Sequence, residues 1–455
     1  MININNISSI YFAGIGGIGM SALARYFNQK GIKVSGYDKT PTPLTDLLVS
    51  EGIHIHFIDD VNLIDKNVDV VVYTPAIPAN HTELNFYKNN NYPLLKRSDV
   101  LGLLTKDTFN ICVAGTHGKT TTSAMIAHIL KDSGFGCNAF LGGIAANYNT
   151  NFWGGDSNVT VVEADEYDRS FLKLFADIAI ITAMDADHLD IYGTEENMQN
   201  AFISFVNQIK ANGTLIIKDN LQRIDEFKAT TTLTYTAFNE KASVHVSNLK
   251  VVNGSYLFDV VINDYIIKDV LLNMGGKHNI ENVTAAITVA FLLKVDEQKI
   301  KSAVANFKGV KRRFEYIIKS DDVVMIDDYA HHPEELRALI NGAKELYPNK
   351  KCTVVFQPHL FSRTNDLAEG FAEVLSMADE TILLPIYPAR ELPMPGVTSE
   401  LILNKMTNAK KSVKEKGALL EWLQTNKPSL FITAGAGDID AMLTDIKNII
   451  TNNAH

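Results

Sequence analysis

Residues 110–130 read NICVAGTHGKTTTSAMIAHIL, in which an apolar strand runs through a short glycine turn directly into a helix. This arrangement points backbone N–H groups and the positive end of the helix dipole at the oxygens of a bound phosphate. Lys119 would neutralise the terminal phosphates of a nucleotide, and the Thr120 hydroxyl would bind Mg²⁺. The stretch therefore predicts an α/β fold with an ATP-binding unit.

The phosphate loop is shorter than the common G-x-x-x-x-G-K-[ST] pattern, because Val113 stands five positions before Gly118. On this segment alone, a glycine-rich turn that binds nothing is the alternative. If the loop binds a nucleotide, the contacts come from the turn and from the helix start: Gly115, Thr116, Gly118, Lys119, Thr120 and Thr121.

A second unit of this kind opens the chain. Short apolar strands alternate with helical patterns over residues 1–105, which is typical of βαβ units around a parallel sheet. Gly14, Gly16 and Gly19 satisfy G-x-G-x-x-G, and Asp38 follows the next strand, where dinucleotide-binding folds contact a ribose. An NAD-dependent dehydrogenase would fit this pattern, but it would not explain the phosphate loop.

Two further series follow the phosphate loop. Residues 243–272 alternate apolar and polar side chains around Asn-Gly and Asn-Asp turn signals, which favours antiparallel hairpins beside the ATP-binding unit. After the basic segment 311–313, strands and amphipathic helices alternate again and predict a smaller α/β domain. We therefore expect three domains, with these boundaries: 1–105, 106–312 and 313–455.

The composition narrows the class of protein. The chain has 455 residues, 46% of them hydrophobic, which predicts several folded domains rather than disorder. A net charge of −10 argues against nucleic acid or a membrane surface as partner, since both are polyanions. Three cysteines without metal-type spacing and no long apolar run predict a cytoplasmic protein with buried thiols. The sequence leaves the oligomeric state open.

Eight motifs, in this order along nearly the whole chain, resemble the Mur ligase family: GIGGIGMS (14–21), GTHGKTTT (115–122), EADE (163–166), DADH (185–188), HNIEN (278–282), RRFE (312–315), DDYAHHP (327–333) and QPHLFSR (357–363). The resemblance implies an N-terminal Rossmann-like domain, a central P-loop ATPase-like domain with extra antiparallel strands, and a C-terminal Rossmann-like α/β domain. It also implies ATP-dependent joining of a carboxylate to an amino acid through an acyl phosphate.

The resemblance assigns roles around ATP and Mg²⁺. It implies that Glu163 binds Mg²⁺ together with the loop threonine, and that His188 binds a second Mg²⁺ near the acyl phosphate. Asn282 would hydrogen-bond adenine, Arg313 would lie near the nucleotide phosphates, and Asp328 would meet the ATP ribose.

The resemblance also assigns substrates. Within the family the sequence looks most like the branch that adds L-alanine to UDP-N-acetylmuramate. The residues expected at the sugar nucleotide are the loop glycines and one acid: Gly14, Gly16, Gly17, Gly19 and Asp38. His331 and Arg363 would face the incoming amino acid. Many relatives have arginine where this chain has Leu360, so we expect one cationic partner fewer for the amino-acid carboxylate.

Together these roles predict a catalytic set of five residues: Lys119, Glu163, His188, His331 and Arg363. Three other functions are weighed against this one. A recycling ligase would use the same sugar nucleotide but add a tripeptide, and a folylpolyglutamate synthase would share only the phosphate loop. A regulatory ATP-binding module without catalysis would not need the acidic, histidine and arginine residues together.

Overall fold

The computed structural model describes residues 4–155, 157–389 and 391–452. The chain divides into two compact units, each considered by itself below. The first unit takes its described residues from 1–248, 258–270 and 281–307, and the second from 249–257, 271–280 and 308–455. The first two predicted domains fall largely within the first unit, and their boundaries stay predictions.

The first sheet has five parallel strands in the order β3-β2-β1-β4-β5. They are β1 (Ser9–Ala13), β2 (Lys33–Tyr37), β3 (His54–His56), β4 (Val70–Tyr73) and β5 (Leu94–Lys96). Its helices are α1 (Ile18–Gln29), α2 (Pro43–Ser50), α3 (Thr82–Asn89) and α4 (Arg97–Thr105). The order reverses at β1, and ligands of such sheets bind beyond the strand ends at this point.

The second sheet has ten strands in the order β15-β14-β13-β12-β11-β10-β6-β9-β7-β8. They are β6 (Phe109–Ala114), β7 (Asn138–Ala145), β8 (Thr150–Trp153), β9 (Val159–Glu163), β10 (Ile178–Ile181), β11 (Thr214–Lys218), β12 (Thr231–Thr236), β13 (Val244–Val252), β14 (Ser255–Ile262) and β15 (Tyr265–Leu272). The phosphate strand β6 pairs in parallel with β9 and with β10. The carboxyl ends of these three strands therefore share one edge.

The helices of this region are α5 (Lys119–Asp132), α6 (Leu189–Tyr192), α7 (Glu195–Val206), α8 (Lys277–Leu292) and α9 (Glu297–Asn306). The predicted Asn-Gly turn joins β13 to β14: Asn253 and Gly254 have φ angles of 49° and 71°. Such a two-residue link with both φ values positive joins neighbouring antiparallel strands. The hairpin predicted from the alternation is therefore present.

The third sheet, in the second unit, has six strands in the order β16-β17-β21-β18-β19-β20. They are β16 (Glu315–Lys319), β17 (Val324–Asp328), β18 (Cys352–Phe356), β19 (Glu380–Leu383), β20 (Lys411–Val413) and β21 (Leu430–Ala434). Only β16 is antiparallel to its neighbour. The helices are α10 (Pro333–Leu346), α11 (Phe361–Asp366), α12 (Ala368–Leu375), α13 (Ser399–Leu403), α14 (Lys416–Thr425) and α15 (Leu443–Asn452).

A buried polar network fixes α1 to β8 within the first unit. The Arg25 side chain is 4% exposed and binds the Glu51 carboxylate at 2.7 Å. It also donates to the side-chain oxygen of Asn151, whose amide donates to the Ser21 hydroxyl at 3.0 Å. Removing one partner would leave buried polar atoms unpaired, so the network holds the start of α1 in place.

The central strands are buried along most of their length, as expected for parallel strands covered by helices on both faces. The predicted α/β class is confirmed. Cys112, Cys137 and Cys352 are buried and unpaired, and burial raises the pKa of each thiol to about 12. Among the described helices, none is long and apolar enough to cross a membrane.

Candidate active site

The phosphate loop connects β6 to α5 through two glycines that no other residue could replace without strain. Gly115 has a φ of 137°, and a Cβ there would lie 2.2 Å from the Thr182 hydroxyl oxygen. Gly118, with a φ of 82°, immediately precedes α5, and a Cβ there would lie 2.8 Å from the side-chain oxygen of Asn282. The structure thus brings the residue predicted to bind adenine beside the loop.

The loop is tied to the segment that follows β10. The Thr116 amide donates to the carbonyl of Ala183 at 3.1 Å, and the Thr116 hydroxyl accepts from the amide of Asp185 at 3.1 Å. Thr120 and Thr121 lie buried in the first turn of α5. The predicted loop residues therefore lie in one continuous segment, formed by the glycine turn and the first turn of α5. Hydrogen bonds to the segment after β10 hold this loop in place.

The two residues predicted to share the first Mg²⁺, Thr120 and Glu163, are in direct contact. The Thr120 hydroxyl donates to Oε1 of Glu163 at 2.9 Å, and the amide of Gly142 donates to Oε2 at 2.8 Å. Adjacent oxygen ligands of an octahedral Mg²⁺ lie about 3 Å apart, given metal–oxygen distances near 2.1 Å. The spacing of the hydroxyl and the carboxylate therefore fits this ion.

Lys119 has a partner that the sequence analysis did not assign. Its Nζ donates to the carbonyl of Gly115 at 2.6 Å and to Oε1 of Glu166 at 2.7 Å. Burial raises the pKa of the Glu166 carboxyl, and the nearby lysine opposes that effect. Glu166 is the last residue of the EADE motif, but nothing in the motif distinguishes it from the neighbouring acids, so the sequence carries no signal for this contact.

His188 lies close to the same carboxylate. Its Nε2 is 4.0 Å from Oε1 of Glu166 and 3.7 Å from Oδ2 of Asp187. The backbone of His188 is left-handed, with a φ of 49°, directly before α6. Such a conformation is uncommon outside glycine and occurs often at functional positions. The lysine, the threonine–glutamate pair and this histidine thus converge at one sheet edge.

The predicted sugar-nucleotide residues lie together at the end of β1. Gly14 has a φ of 86°, and the Gly16 amide donates to Oδ2 of Asp38 at 2.8 Å. Gly17 precedes α1, and its amide donates to the Gly14 carbonyl at 3.3 Å. At Gly19, a Cβ would lie 2.7 Å from Nη1 of an arginine.

That arginine, Arg97, belongs to a cleft that the sequence analysis missed. A cavity of about 270 Å³ is lined by Thr74, Lys96, Arg97, Asp165 and Tyr167, among others. Lys96 and Arg97 stand where β5 ends and α4 begins, and they pair with Asp168 at 3.4 Å and with Asp165 at 3.5 Å. A Lys-Arg pair at a strand's carboxyl end is the sequence signal for an anion site here.

In the second unit, Asp328 ends β17. Its carboxylate accepts from the amide of Phe314 at 2.6 Å and from that of Ala330 at 2.7 Å. Burial raises the pKa of Asp328 to about 7, and these two amides together with Arg313 oppose the shift. Arg313 itself is exposed. The two residues predicted for the ribose and the phosphates are therefore neighbours in this unit.

The predicted amino-acid residues surround a second histidine. The ring centroids of His331 and His359 are 6.3 Å apart, and His359 is stacked at 5.9 Å on Tyr387. Burial lowers the pKa of His359, and the charge of Arg363 adds to the effect. In the described part of the chain, Nδ1 of His359 is buried without a hydrogen-bond partner. This histidine belongs to the QPHLFSR motif, but the motif alone did not predict a role for it.

Leu360 follows that histidine in an unusual conformation, with a φ of 69° and a ψ of 138°. Its amide donates to the carbonyl of Tyr387 at 3.0 Å, and its carbonyl accepts from the hydroxyl of Thr364 at 2.7 Å. These bonds fix the start of α11. The leucine side chain is half-buried beside the amino-acid residues.

Replacing Gly142 by alanine tests the glutamate–threonine contact. A Cβ at this position would lie 2.2 Å from Oε2 of Glu163, so the carboxylate must move away from Thr120. We expect Mg²⁺-dependent binding of ADP to weaken about 10-fold or more, as when a metal ligand loses its support. Calorimetric titration with and without Mg²⁺ measures this effect. Gly155→Ala, where a Cβ meets open space, is the matched control; equal affinities in the two variants would contradict the assignment.

Comparison with known proteins agrees with this arrangement. Three family models match in sequence: the Mur ligase family catalytic domain over residues 9–108, the Mur ligase middle domain over 113–290, and the Mur ligase glutamate ligase domain over 312–437. Their descriptions correspond in order to the three sheets.

Two relatives that align over nearly the whole chain have the same name. A UDP-N-acetylmuramate–L-alanine ligase of Flavobacterium johnsoniae is 50% identical, covering 99% of this chain and all of the relative. The protein of the same name from Porphyromonas gingivalis W83 is 46% identical, covering 97% and 98% of the two chains.

Solved structures show the same architecture. The crystal structure of UDP-N-acetylmuramate-alanine ligase MurC from Thermotoga maritima aligns with a TM-score of 0.81 at 28% identity, covering 99% of each chain. A murein peptide ligase from Psychrobacter arcticus aligns with a TM-score of 0.66 at 22% identity, covering 97% and 99%, and supports the fold alone. The chain belongs to the Mur ligase family, with its three-domain α/β fold, and is an ADP-forming acid–amino-acid ligase.

Proposed function

We propose that this protein joins L-alanine to the carboxylate of UDP-N-acetylmuramate in peptidoglycan precursor synthesis, converting ATP to ADP and phosphate. The observation that carries the proposal is the identity of 42–50% over essentially the whole chain to relatives of that name. The site supports the same chemistry, because a phosphate loop, a carboxylate–hydroxyl pair and a histidine meet at one sheet edge. We also propose that the protein acts in the cytoplasm.

The first half of the reaction transfers the γ-phosphoryl group of ATP to the muramate carboxylate. The loop amides and Lys119 hold the phosphates and neutralise the charge that spreads over the equatorial oxygens. Thr120, Glu163 and His188 are the residues that would hold Mg²⁺, which, when bound, would further neutralise the phosphate oxygens. The product is an acyl phosphate, whose phosphate is a better leaving group than hydroxide.

The second half is attack by the amino group of L-alanine on the acyl carbon, with release of phosphate. Arg363 would bind the amino-acid carboxylate through charge-assisted hydrogen bonds. The amine must lose a proton. His331, whose Nδ1 lies 3.4 Å from a carboxylate oxygen of Glu335, is one candidate for the base, and water or the phosphate is an equal alternative. His359, whose pKa is lowered by burial, would stay neutral beside it.

The cleft lined by Lys96 and Arg97 suits the anionic sugar nucleotide. The net charge of the chain is −10, so a polyphosphate substrate requires a local cationic site. Lys96 and Arg97 lie near the glycine loop within the first unit and would supply this site if the bound diphosphate displaced Asp168 and Asp165, the acids that now pair with them. No observation of this structure favours the tripeptide-adding or the regulatory alternative.

The proposal is tested by measuring phosphate release with ATP, Mg²⁺, UDP-N-acetylmuramate and one amino compound at a time. We expect release to require both the sugar nucleotide and L-alanine, with a product heavier by one alanine residue in mass spectrometry. The tripeptide and glutamate serve as competing acceptors. Turnover without an acceptor, or a preference for the tripeptide, would overturn the proposal.

Lys119→Ala should lower kcat by about 10²- to 10³-fold, the range observed when one donor to a developing negative charge is removed. Lys131→Ala is the matched control, because Lys131 lies on the same helix and its Nζ packs over the Tyr148 ring at 4.8 Å. Steady-state rates and melting temperatures of both variants are compared. An unchanged rate in Lys119→Ala would exclude the role given to the loop lysine.

Leu360→Arg should restore a cation beside the amino-acid carboxylate. A half-buried charge-assisted bond contributes about 1 kcal/mol, so KM for L-alanine should fall about fivefold while kcat changes little. The control is Leu63→Arg, an exposed leucine of the first unit. A KM that stays constant or rises would show that position 360 does not contact the amino acid.

A further inference from the structure

Glu166 is a buried residue, and one of its two carboxylate oxygens lacks a hydrogen-bond partner among the described residues. Its side chain is fully buried, and Oε1 binds Nζ of Lys119 at 2.7 Å. Oε2 has no hydrogen-bond partner within the described residues. A buried carboxylate oxygen without a partner costs free energy, so such an atom in a native site indicates a ligand.

The proposed role of Lys119 makes this carboxylate more costly still. When the lysine turns to the phosphates of ATP, Glu166 loses the one lysine or arginine that pairs with it among the described residues, and the ring of His188 is left at 4.0 Å. A buried charge that loses its partner destabilises a site strongly, because nothing replaces the solvation it gave up. A second cation that binds Glu166 when the nucleotide arrives would remove this cost.

The surroundings offer a place for that cation. Glu166, Asp187 and His188 present one ligand atom each, all within 4.8 Å of one another. The histidine nitrogen lies 3.7 Å from the aspartate and 4.0 Å from the glutamate. Adjacent ligands of six-coordinate Mg²⁺ lie about 3 Å apart and opposite ligands about 4.2 Å apart, so the three side chains would have to move together by up to about 1 Å to share one ion.

We infer that Glu166 is a ligand of the second divalent cation, together with Asp187 and His188, and that it exchanges Lys119 for that cation when ATP binds. In the nucleotide-free arrangement the glutamate holds the lysine ammonium. When Mg²⁺-ATP enters, the lysine moves to the phosphates and the carboxylate binds the metal, so that no buried charge stays unpaired. This inference rests on the proposed function and deepens its metal site.

Titration with Mn²⁺ in the presence of a non-hydrolysable ATP analogue, followed by electron paramagnetic resonance, tests the inference. The wild-type chain should bind about two Mn²⁺ ions, as in two-metal sites. Glu166→Gln keeps the shape of the side chain and an acceptor for Lys119, but removes the charge. It should retain the first ion and weaken the second at least about 10-fold, since even loss of an outer-shell partner has an effect of this size.

Glu226→Gln is the matched control, because Glu226 is a carboxylate of the same unit that pairs with Arg223 at 2.6 Å on the surface. It should bind both ions as the wild type does. Should Glu166→Gln fail to fold in thermal melts, Glu166→Asp is measured instead. The shorter side chain keeps the charge but cannot reach the same position, so the second ion should again bind at least about 10-fold more weakly.

Three results would overturn the inference: a single Mn²⁺ in the wild type, two ions bound to Glu166→Gln with wild-type affinity, or an unchanged second ion in Glu166→Asp. The ligation assay on the same wild-type preparation distinguishes these failures from a failure of the proposed function. Absence of ligation by a wild-type chain that binds two ions, the second of them dependent on Glu166, would refute the proposed substrates. Ligation by a wild-type chain that binds one ion would refute only the metal assignment.

Discussion

The parallel pairing of β6 with β9 on one side and β10 on the other is the constraint on which the site depends. Parallel strands end at a common edge, so the residues after each strand meet although they are far apart in sequence. Thr120 and Glu163, 43 positions apart, come within 2.9 Å for this reason. The order of the sheet thus sets the spacing of the groups that handle phosphate.

The features that could be predicted from sequence are those in which local pattern and chemistry coincide. The phosphate loop could be predicted because the strand, the glycines and Lys119 are contiguous in the sequence. The carboxylates could be placed because they follow strands whose carboxyl ends lie at the same edge of the sheet. Glu166 and His359 could not be assigned in this way. Their importance comes from burial and from contacts with residues that are distant in the sequence. Within a motif, such a residue looks like any other polar residue.

Arg97 shows a different limit. Its proximity to Gly19 depends on how α4 is oriented at the end of β5. The hydrophobic pattern of the sequence does not predict that orientation. The buried network of Arg25, Glu51 and Asn151 is comparable: it secures α1, and with it the glycine loop, through polar contacts between distant segments. Binding groups on loops are therefore held by a rigid scaffold, and the buried polar contacts within that scaffold cannot be predicted from the sequence.

The three buried thiols have a practical consequence for studying this enzyme. Cys112, Cys137 and Cys352 are buried, and burial raises the pKa of each thiol, so very little of the reactive thiolate is present at neutral pH. A cysteine introduced at an exposed position would react with a maleimide far faster than any native one. A fluorophore or spin label could therefore be attached at a single chosen site without first removing the natural cysteines.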